Sequence, residues 1–389
     1  MNEQQRIKIL SDLTAIKSVN DNEQEVALYL QKLLKEHGIP SKLISYDDNR
    51  ASLVAEIGNG NKPIIAFSGH EDVVAAGDSW KNDPFKLTEI DGKLYGRGTS
   101  DMKSGLADIV IAMIELKENN TKLNGTVRLL ASLGEEIGEY GAEQLTKEGY
   151  MDDVDALIIA EPSNTQTKDG TRILRLCYAT KGSLDMQIQS KGKQAHSSLP
   201  ETGNNAVQNL LDVLYKINNK IGKVNAIDPV TGKFLFNFDV ISGGTQVNTI
   251  PASAKAEFNA RTIKEFDNEK VKDIVNNSIN ELNQSDKKYH LSSKVLMQLD
   301  PVTSTKDNNL DKLIMKVTTR YLDNEFKQTG LSAITDATQY LKNKPDNFPM
   351  AIFGPGQTDL AHVSNEYIYK DFYLKFADIY KVIMKAYLK

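Results

Sequence analysis

Apolar runs and helical patterns alternate along the first part of the chain. Four runs are apolar enough to be buried strands: 63–68, 126–132, 156–160 and 350–353. Strands that are apolar on both faces are typical of a parallel sheet covered by helices. Between the first two runs, segment 104–117 has one apolar helical face, formed by Leu106, Ile109, Val110, Met113 and Ile114. This order predicts an α/β fold with a mixed, largely parallel sheet and helices on both faces.

Capping signals predict a helix near the start of the chain. Asn22 and Glu25 have the spacing of a capping box, and apolar residues at helical spacing follow, namely Val26, Leu30, Leu33 and Leu34. Gly38 and Pro40 are expected to end this helix. A second amphipathic helix is expected at the other end of the chain, around Phe372, Phe376, Ile379, Ile383 and Tyr387.

The middle third of the chain has a different pattern. Apolar and polar residues alternate over 184–189, 234–238 and 254–261, and more weakly over 291–296. Helical patterns over 204–220 and 269–282 lie between the first and second and between the third and fourth of these segments. The order β-α-β-β-α-β predicts a ferredoxin-like α+β domain with one solvated sheet face. We therefore expect a larger domain over 1–181 and 298–389, interrupted by a smaller one over 182–297.

Composition and charge narrow the possible partners. The 389 residues exceed the size at which a single core usually stops growing, which agrees with two domains. A net charge of −5 with no basic stripe argues against nucleic acid or an anionic membrane as a partner. The single cysteine, Cys177, excludes an internal disulfide framework. Because no cationic segment followed by an apolar one is visible at the start, we expect a cytoplasmic protein.

Histidine or carboxylate side chains follow each of the four buried strands. They are His70 with Asp72, the pair Glu135 and Glu136, then Glu161, and finally His362. Each motif alone is weak evidence, since a structural His–Asp pair or a solvated acidic turn is common. Ligands gather at the carboxyl ends of strands in open α/β sheets, however, so the shared placement predicts one site.

A glycine-rich segment before the helix at 104–117 contains Asp101. Gly96 and Gly98 resemble the start of a dinucleotide-binding loop, but Asp101 takes the place of its third glycine, and no Walker ending follows. An aspartate here could cap the helix. A carboxylate repels phosphate and suits a cation. Together with the residues after the strands, Asp101 completes a set of histidines and carboxylates suited to two Zn²⁺, Co²⁺ or Mn²⁺ ions.

Five motifs resemble those of the acetylornithine deacetylase / succinyl-diaminopimelate desuccinylase family of amidohydrolases. They are S-G-H-x-D-V-V, G-R-G-x-x-D-M-K-S-G, G-E-E-x-G, A-E-P and A-H-x-x-N-E, in the family's order between His70 and Glu366. The resemblance implies a two-metal hydrolase that cleaves an amide bond of an N-acyl amino acid or short peptide. It also implies that the smaller domain is a lid and dimerisation domain, and that the protein is a homodimer.

The resemblance further implies a role for each matching residue. His70 and Glu161 would hold one ion, Glu136 and His362 the other, and Asp101 would bridge them. Asp72 would orient His70, and Glu135 would be the general base. In the smaller domain, His196 would stabilise the oxyanion, and Asn248 and Arg261 would bind substrate. A solvated strand residue remains the alternative for Arg261, because Lys255 and Glu257 share its face.

The identity of the substrate is less well determined by the sequence. Succinyl-diaminopimelate desuccinylase is the first choice among the activities of the family, with Zn²⁺ as the expected ion. Acetylornithine deacetylase is the nearest alternative, followed by a dipeptidase or aminoacylase. A one-metal, carboxypeptidase-like enzyme and a non-catalytic, metal-dependent binding protein are alternatives of other kinds.

Overall fold

The computed structural model describes residues 1–389. The helices are α1 (Glu3–Ala15), α2 (Gln24–Glu36), α3 (Lys103–Glu118), α4 (Tyr140–Lys147), α5 (Ala206–Ile221), α6 (Asn268–Ser285), α7 (Asn309–Thr318), α8 (Ala337–Tyr340) and α9 (Lys370–Tyr387). The strands are β1 (Ser41–Asp47), β2 (Arg50–Gly58), β3 (Ile64–His70), β4 (Thr88–Ile90), β5 (Lys93–Tyr95), β6 (Thr126–Ser132), β7 (Ala156–Gln166), β8 (Arg172–Thr180), β9 (Gly182–Lys191), β10 (Ala195–His196), β11 (Ile227–Asp228), β12 (Gly232–Lys233), β13 (Leu235–Gly243), β14 (Thr249–Ile250), β15 (Ser253–Thr262), β16 (Leu291–Leu299), β17 (Val302–Thr303), β18 (Glu325–Leu331), β19 (Met350–Gln357) and β20 (Tyr367–Tyr369).

The largest sheet has nine strands, and its centre is parallel. The strand order is β1-β2-β6-β3-β7-β19-β8-β17, with β18 paired to β8. Strand β3 pairs in parallel with both β6 and β7, and β7 pairs in parallel with β19. Strands β1 and β2 join antiparallel at one edge. The predicted α/β class is confirmed, and the four apolar runs form the parallel centre.

Helix α3 is buried around its whole circumference over most of its length. The sequence predicted one apolar face, but the polar side chains of Asp108 and Glu115 are buried as well. The reason is that α3 lies between layers: it packs on β3 and β7 on one side and on α1 and α9 on the other. A helix covered on both sides has no solvent face on which to place its polar residues.

The start of α2 differs from the prediction. The helix begins at Gln24 with Glu23 as its N-cap, and no side chain caps it. Asn22 instead donates hydrogen bonds to the carbonyl oxygens of Val19 and Asn20, so the predicted capping box is wrong. The carboxylate of Glu23 is buried in an ion pair with Arg50 at 2.9 Å, and this long-range contact replaces the local one.

The chain divides into two compact units. The first contains residues 1–178, 303–329 and 335–389, and the second contains 179–302 and 330–334. In the second unit, four antiparallel strands have the order β13-β15-β9-β16, which is the ferredoxin-like order predicted from the sequence. Helices α5 and α6 cover one face of this sheet, packing on a cluster that includes Leu184, Met186, Ile188, Ala256 and Phe258.

None of the helices combines the length and the apolar character of a membrane-spanning segment.

Candidate metal centre

The predicted ligands lie together near the carboxyl ends of the parallel strands at the centre of the large sheet. His70 is the last residue of β3, and Glu135 and Glu136 form a short 3-10 turn just after β6. His362 follows β19 after a second such turn. Glu161 differs from the prediction, because β7 does not end before it but continues to Gln166. The extra residues of β7 pair with β8, which the apolar pattern did not show, and with the part of β19 that continues past the predicted run 350–353.

Asp101 lies between two histidine side chains. Its Oδ1 is 3.2 Å from Nε2 of His70, and its Oδ2 is 3.4 Å from Nε2 of His362. The same His70 nitrogen lies 3.5 Å from Glu161 Oε1, and that of His362 lies 2.9 Å from Glu136 Oε2. The structure therefore groups the five residues as two pairs, with one carboxylate oxygen of Asp101 facing each pair.

Asp72 contacts both His70 and the turn that carries the two glutamates. The Nδ1 atom of His70 is 2.9 Å from the backbone carbonyl oxygen of Asp72 and 3.5 Å from its carboxylate. That carboxylate accepts hydrogen bonds from the backbone N–H groups of Glu135 and Glu136, at 3.2 and 3.1 Å. A carbonyl acceptor at Nδ1 fixes the orientation of the imidazole ring, so that Nε2 faces Asp101 and Glu161. Sequence reasoning missed this second contact of Asp72.

Glu135 lies beside the first pair of ligands. One of its carboxylate oxygens falls within 4.8 Å of ligand atoms of both His70 and Glu161. Burial, followed by the nearby charge of Glu161, raises the pKa of Glu135 well above its ordinary value. A carboxylate with a raised pKa holds and releases a proton closer to neutral pH, which is what a general base needs.

The site contains more buried acids than bases. Asp72, Asp101, Glu135, Glu136 and Glu161 face only two imidazoles. Burial raises the pKa of Glu161 well above its ordinary value. The pKa of Asp101 is low despite burial, because both histidines donate hydrogen bonds to it. The pKa of His362 is about 10, raised by its hydrogen bonds with Asp101 and Glu136. Oxygen and imidazole donors with excess negative charge fit divalent ions such as Zn²⁺, Co²⁺ or Mn²⁺.

Arg50 packs against Gly134, the residue before the turn that contains Glu135 and Glu136. Gly134 has a φ of 63°, and a Cβ atom there would lie 2.4 Å from Nη2 of Arg50. The guanidinium carbon of Arg50 also lies 5.4 and 5.6 Å from the ring centroids of Tyr46 and Tyr140, which stack on each other. Sequence reasoning missed Arg50, because no local motif connects it with a turn so far along the chain.

His196 and Asn248 are neighbours within the second unit. Strand β10, which contains His196, pairs with β14, and the Ser197 N–H donates to the carbonyl oxygen of Asn248 at 3.1 Å. The Ser198 N–H donates to Nδ1 of His196 at 3.2 Å, which places the imidazole hydrogen on Nε2. His196 is exposed, so this Nε2–H group is a free donor.

Arg261 is not close to that pair. It lies eight residues along β15 from Ser253, where the strand begins near β14, and eight strand residues span about 26 Å. Lys255 and Glu257 on the same face form an ion pair with each other, whereas Arg261 has no acidic partner. Its charge, together with the larger effect of burial, lowers the pKa of the neighbouring Lys181.

Comparisons with known proteins agree with this fold. Residues 66–386 match the model of peptidase family M20/M25/M40. A relative from Staphylococcus epidermidis, named "Probable succinyl-diaminopimelate desuccinylase", is 41% identical over 100% of this chain and 99% of its own length. The solved M20 metallo-carboxypeptidase of Sulfolobus solfataricus has a TM-score of 0.81 at 19% identity, over 100% of this chain and 99% of that one. A dinuclear metal-binding peptidase of Bacillus subtilis has a TM-score of 0.71 at 16% identity, over 99% and 98% of the two chains.

The match to the family model and the geometry of the site define the class of enzyme, which is a hydrolase of amide bonds. The chain belongs to peptidase family M20/M25/M40. The family membership that the sequence motifs indicated is therefore confirmed.

Proposed function

We propose that this protein removes the succinyl group from N-succinyl-diaminopimelate with the help of two divalent metal ions. The observation that carries the proposal is the placement of Asp101 between the pairs His70–Glu161 and His362–Glu136. The choice of substrate rests on the relative that is 41% identical over the whole chain and is named for this activity. The likeness to a dinuclear metal-binding peptidase supports two ions rather than one.

The proposed ligands follow from the two pairs. His70 and Glu161 would hold one ion, His362 and Glu136 the other, and Asp101 would contribute to both. Zn²⁺ is the ion we favour, and Co²⁺ and Mn²⁺ suit the same donors. Such a site would supply Lewis acidity when occupied, which would polarise a carbonyl oxygen and acidify water.

Glu135 is proposed as the group that moves the proton. Its carboxylate would take a proton from the attacking water and later deliver it to the nitrogen that leaves as the amine. Asp72 would support both functions of the site, because it contacts His70 and also holds the backbone of the Glu135–Glu136 turn. The raised pKa of Glu135 suits a group that must first accept and then release a proton.

The second unit is proposed to bind substrate and stabilise the transition state. His196 has a free Nε2–H donor, which can donate to the oxyanion that develops on the scissile carbonyl. Arg261 has no acidic partner and can donate two parallel hydrogen bonds to a carboxylate, a group that a succinyl amide carries at its free end. Asn248 lies beside His196 and can contribute an amide donor or acceptor to the same substrate.

We also propose a homodimer formed through the second unit. Strand β13 is an edge of its sheet, and it exposes Leu235, Val240 and Ile241, with fractional exposures between 43% and 59%. Unpaired edges with apolar side chains favour pairing with another chain. One small substrate cannot touch both His196 and Arg261 of a single copy, because they lie toward opposite ends of β15. A second copy would supply the missing group.

A substrate panel tests the proposal. The metal-free protein, reconstituted with Zn²⁺ or Co²⁺, is assayed on N-succinyl-diaminopimelate, N-acetylornithine, N-acetyl amino acids and dipeptides, and its metal content is measured. We expect two ions per chain and a kcat/KM for the succinyl substrate at least about 100-fold above the others, since a buried unpaired polar group in the wrong complex is costly. Faster turnover of N-acetylornithine would correct the substrate but not the class. One ion per chain would favour the carboxypeptidase-like alternative, and absence of any turnover would favour a binding protein.

A cytoplasmic location is the remaining part of the proposal, and it is supported by the single buried cysteine and by the absence of any disulfide.

A further inference from the structure

Glu366 is a buried carboxylate that contacts the backbone of the loop containing Asp101. Its Oε1 accepts hydrogen bonds from the N–H groups of Ser100 and Asp101, at 2.7 and 2.9 Å. Its Oε2 accepts from the N–H group of Gly98 at 3.0 Å. The residue has no exposed surface. Three backbone donors that converge on one carboxylate hold the loop in a single conformation.

Arg97 extends these contacts to the segment that follows His70. Its Nη1 donates to Glu366 at 2.6 Å, and its Nη2 donates to the carbonyl oxygens of Ala75 and Ala76, at 3.3 and 3.2 Å. The guanidinium group also lies 5.3 Å from the ring of Trp80. The Arg97–Glu366 pair therefore connects the three chain segments that contain His70, Asp101 and His362.

The residues just before Glu366 make the same connection from the side of His362. Asn365 donates to the carbonyl oxygen of Ser79 at 3.1 Å and accepts from the Lys81 N–H group at 2.8 Å. The side chain of His362 is 53% exposed, and its imidazole contacts Asp101 and Glu136. Its position depends on how firmly the segment 362–366 is held to the rest of the unit.

We propose that Glu366 is a positioning residue, which sets the spacing between Asp101 and His362 and thereby the affinity of the site for its metal ions. This inference rests on the proposed two-metal function. Glu366 touches neither imidazole, so it would act through the backbone of Asp101 and through the chain that leads back to His362. Hydrogen bonds that orient metal ligands commonly change metal affinity by about 10–100-fold when they are removed.

Two substitutions test the role of Glu366. Glu366→Gln keeps the shape but turns an N–H₂ group toward backbone donors or toward Arg97, and Glu366→Asp keeps the charge but shortens the reach. We expect metal dissociation constants, measured by competition with a chelator, to increase about 10–100-fold for Glu366→Gln and less for Glu366→Asp. Saturating metal should restore most of kcat, with an unchanged KM for substrate.

Glu115 provides the matched control. It is also buried, at 4% exposure, and it also pairs with an arginine, Arg6, at 2.7 Å, but it lies on α3 among α1 and α9. Glu115→Gln should lower the melting temperature of the metal-free protein without changing metal affinity. Wild-type metal affinity in either folded Glu366 variant would overturn the inference, and if Glu366→Gln does not fold, Glu366→Asp alone decides. A wild-type protein that binds no metal would instead contradict the proposed function.

Discussion

A substitution of Glu135 can show whether this residue is a metal ligand or the group that transfers the proton. It lies within ligand distance of His70 and Glu161, so its position suits either role. We predict that Glu135→Gln retains two ions per chain and loses about 10²–10⁴-fold in kcat, because the amide cannot accept a proton. Metal analysis and steady-state kinetics of the same preparation measure both quantities.

The control for this prediction is Glu148→Gln, at an exposed position after α4. It should leave both metal content and kcat unchanged. If Glu135→Gln loses an ion, Glu135 is itself a ligand, and the assignment of the proton-transfer role must be withdrawn.

Asp108 is a second residue whose behaviour follows from burial. Both of its carboxylate oxygens are buried without a hydrogen-bond partner, and burial raises its pKa well above the ordinary value of 3.8. The folded protein thus holds this proton more tightly than the unfolded chain does. The resulting contribution to stability is complete below pH 3.8 and is lost as the pH rises through the raised folded pKa.

We therefore predict that Asp108→Asn stabilises the metal-free protein at pH 8 by about 1–3 kcal/mol, since the amide avoids the cost of a buried, unpaired charge. At pH 4 the difference should largely disappear. Urea unfolding at the two pH values measures it, and Asp48→Asn, at an exposed position, is the control that should show no difference at either pH. Equal stability of Asp108→Asn and wild type at pH 8 would contradict the prediction.

At the scale of elements, the close approach of α3 to β7 decides where Glu161 lies. A Cβ atom at Gly105 would lie 2.2 Å from the carbonyl oxygen of Ala160, the residue before Glu161. Gly105→Ala should therefore push helix and strand apart, lower the free energy of unfolding by about 1–3 kcal/mol and weaken metal binding. Thermal unfolding of the metal-free protein and a metal titration measure the two effects.

Gly222→Ala, just after α5, is the matched control, because its φ of −62° is helical and the nearest atom to the added Cβ is 3.1 Å away. It should change stability by less than about 0.5 kcal/mol. A Gly105→Ala protein with normal stability and metal affinity would show that the contact relaxes at little cost.

The helices and strands were predicted correctly where the pattern of apolar residues was regular. The β-α-β-β-α-β order of the second unit was predictable, because each apolar face repeats every two residues or every turn. The four parallel strands were predictable as continuous apolar runs. Strands β1, β2 and β8 were not predicted. In β8, for example, Arg172 and Arg175 interrupt the apolar residues, and antiparallel pairing with β7 and β19 determines the strand.

At the scale of the whole molecule, the proposed dimer predicts complementation between two inactive variants. His196→Ala and Glu135→Gln would each be inactive alone. If His196 acts in the partner's site, a mixed dimer has one intact site, and random mixing of subunits should restore about a quarter of wild-type activity. Unfolding and refolding the two variants together, followed by an activity assay, measures this. Absence of any recovery from confirmed mixed dimers would place His196 and Glu135 in the same copy.

Two substitutions test the surface on β13 that we propose for dimerisation. Ile241→Lys, on the exposed edge strand β13, should yield monomers in analytical ultracentrifugation and lose activity. Leu28→Lys replaces a similarly exposed apolar residue on α2, at 46% exposure, and should leave the dimer intact. A dimer that persists in Ile241→Lys would locate the interface elsewhere.

The sequence by itself determined the fold class, the interrupted arrangement of the chain and the set of candidate ligands. These follow from periodicity and from short motifs, which are local properties of the chain. Only the tertiary structure decided that Asp101 presents one oxygen to each histidine, that Asp72 also binds the backbone of the Glu135–Glu136 turn, and that Glu366 and Arg50 contact the loops around the site. Each of these contacts joins residues far apart in the chain. No local period or motif encodes them, because they depend on how separate strands pack side by side and where the strands end.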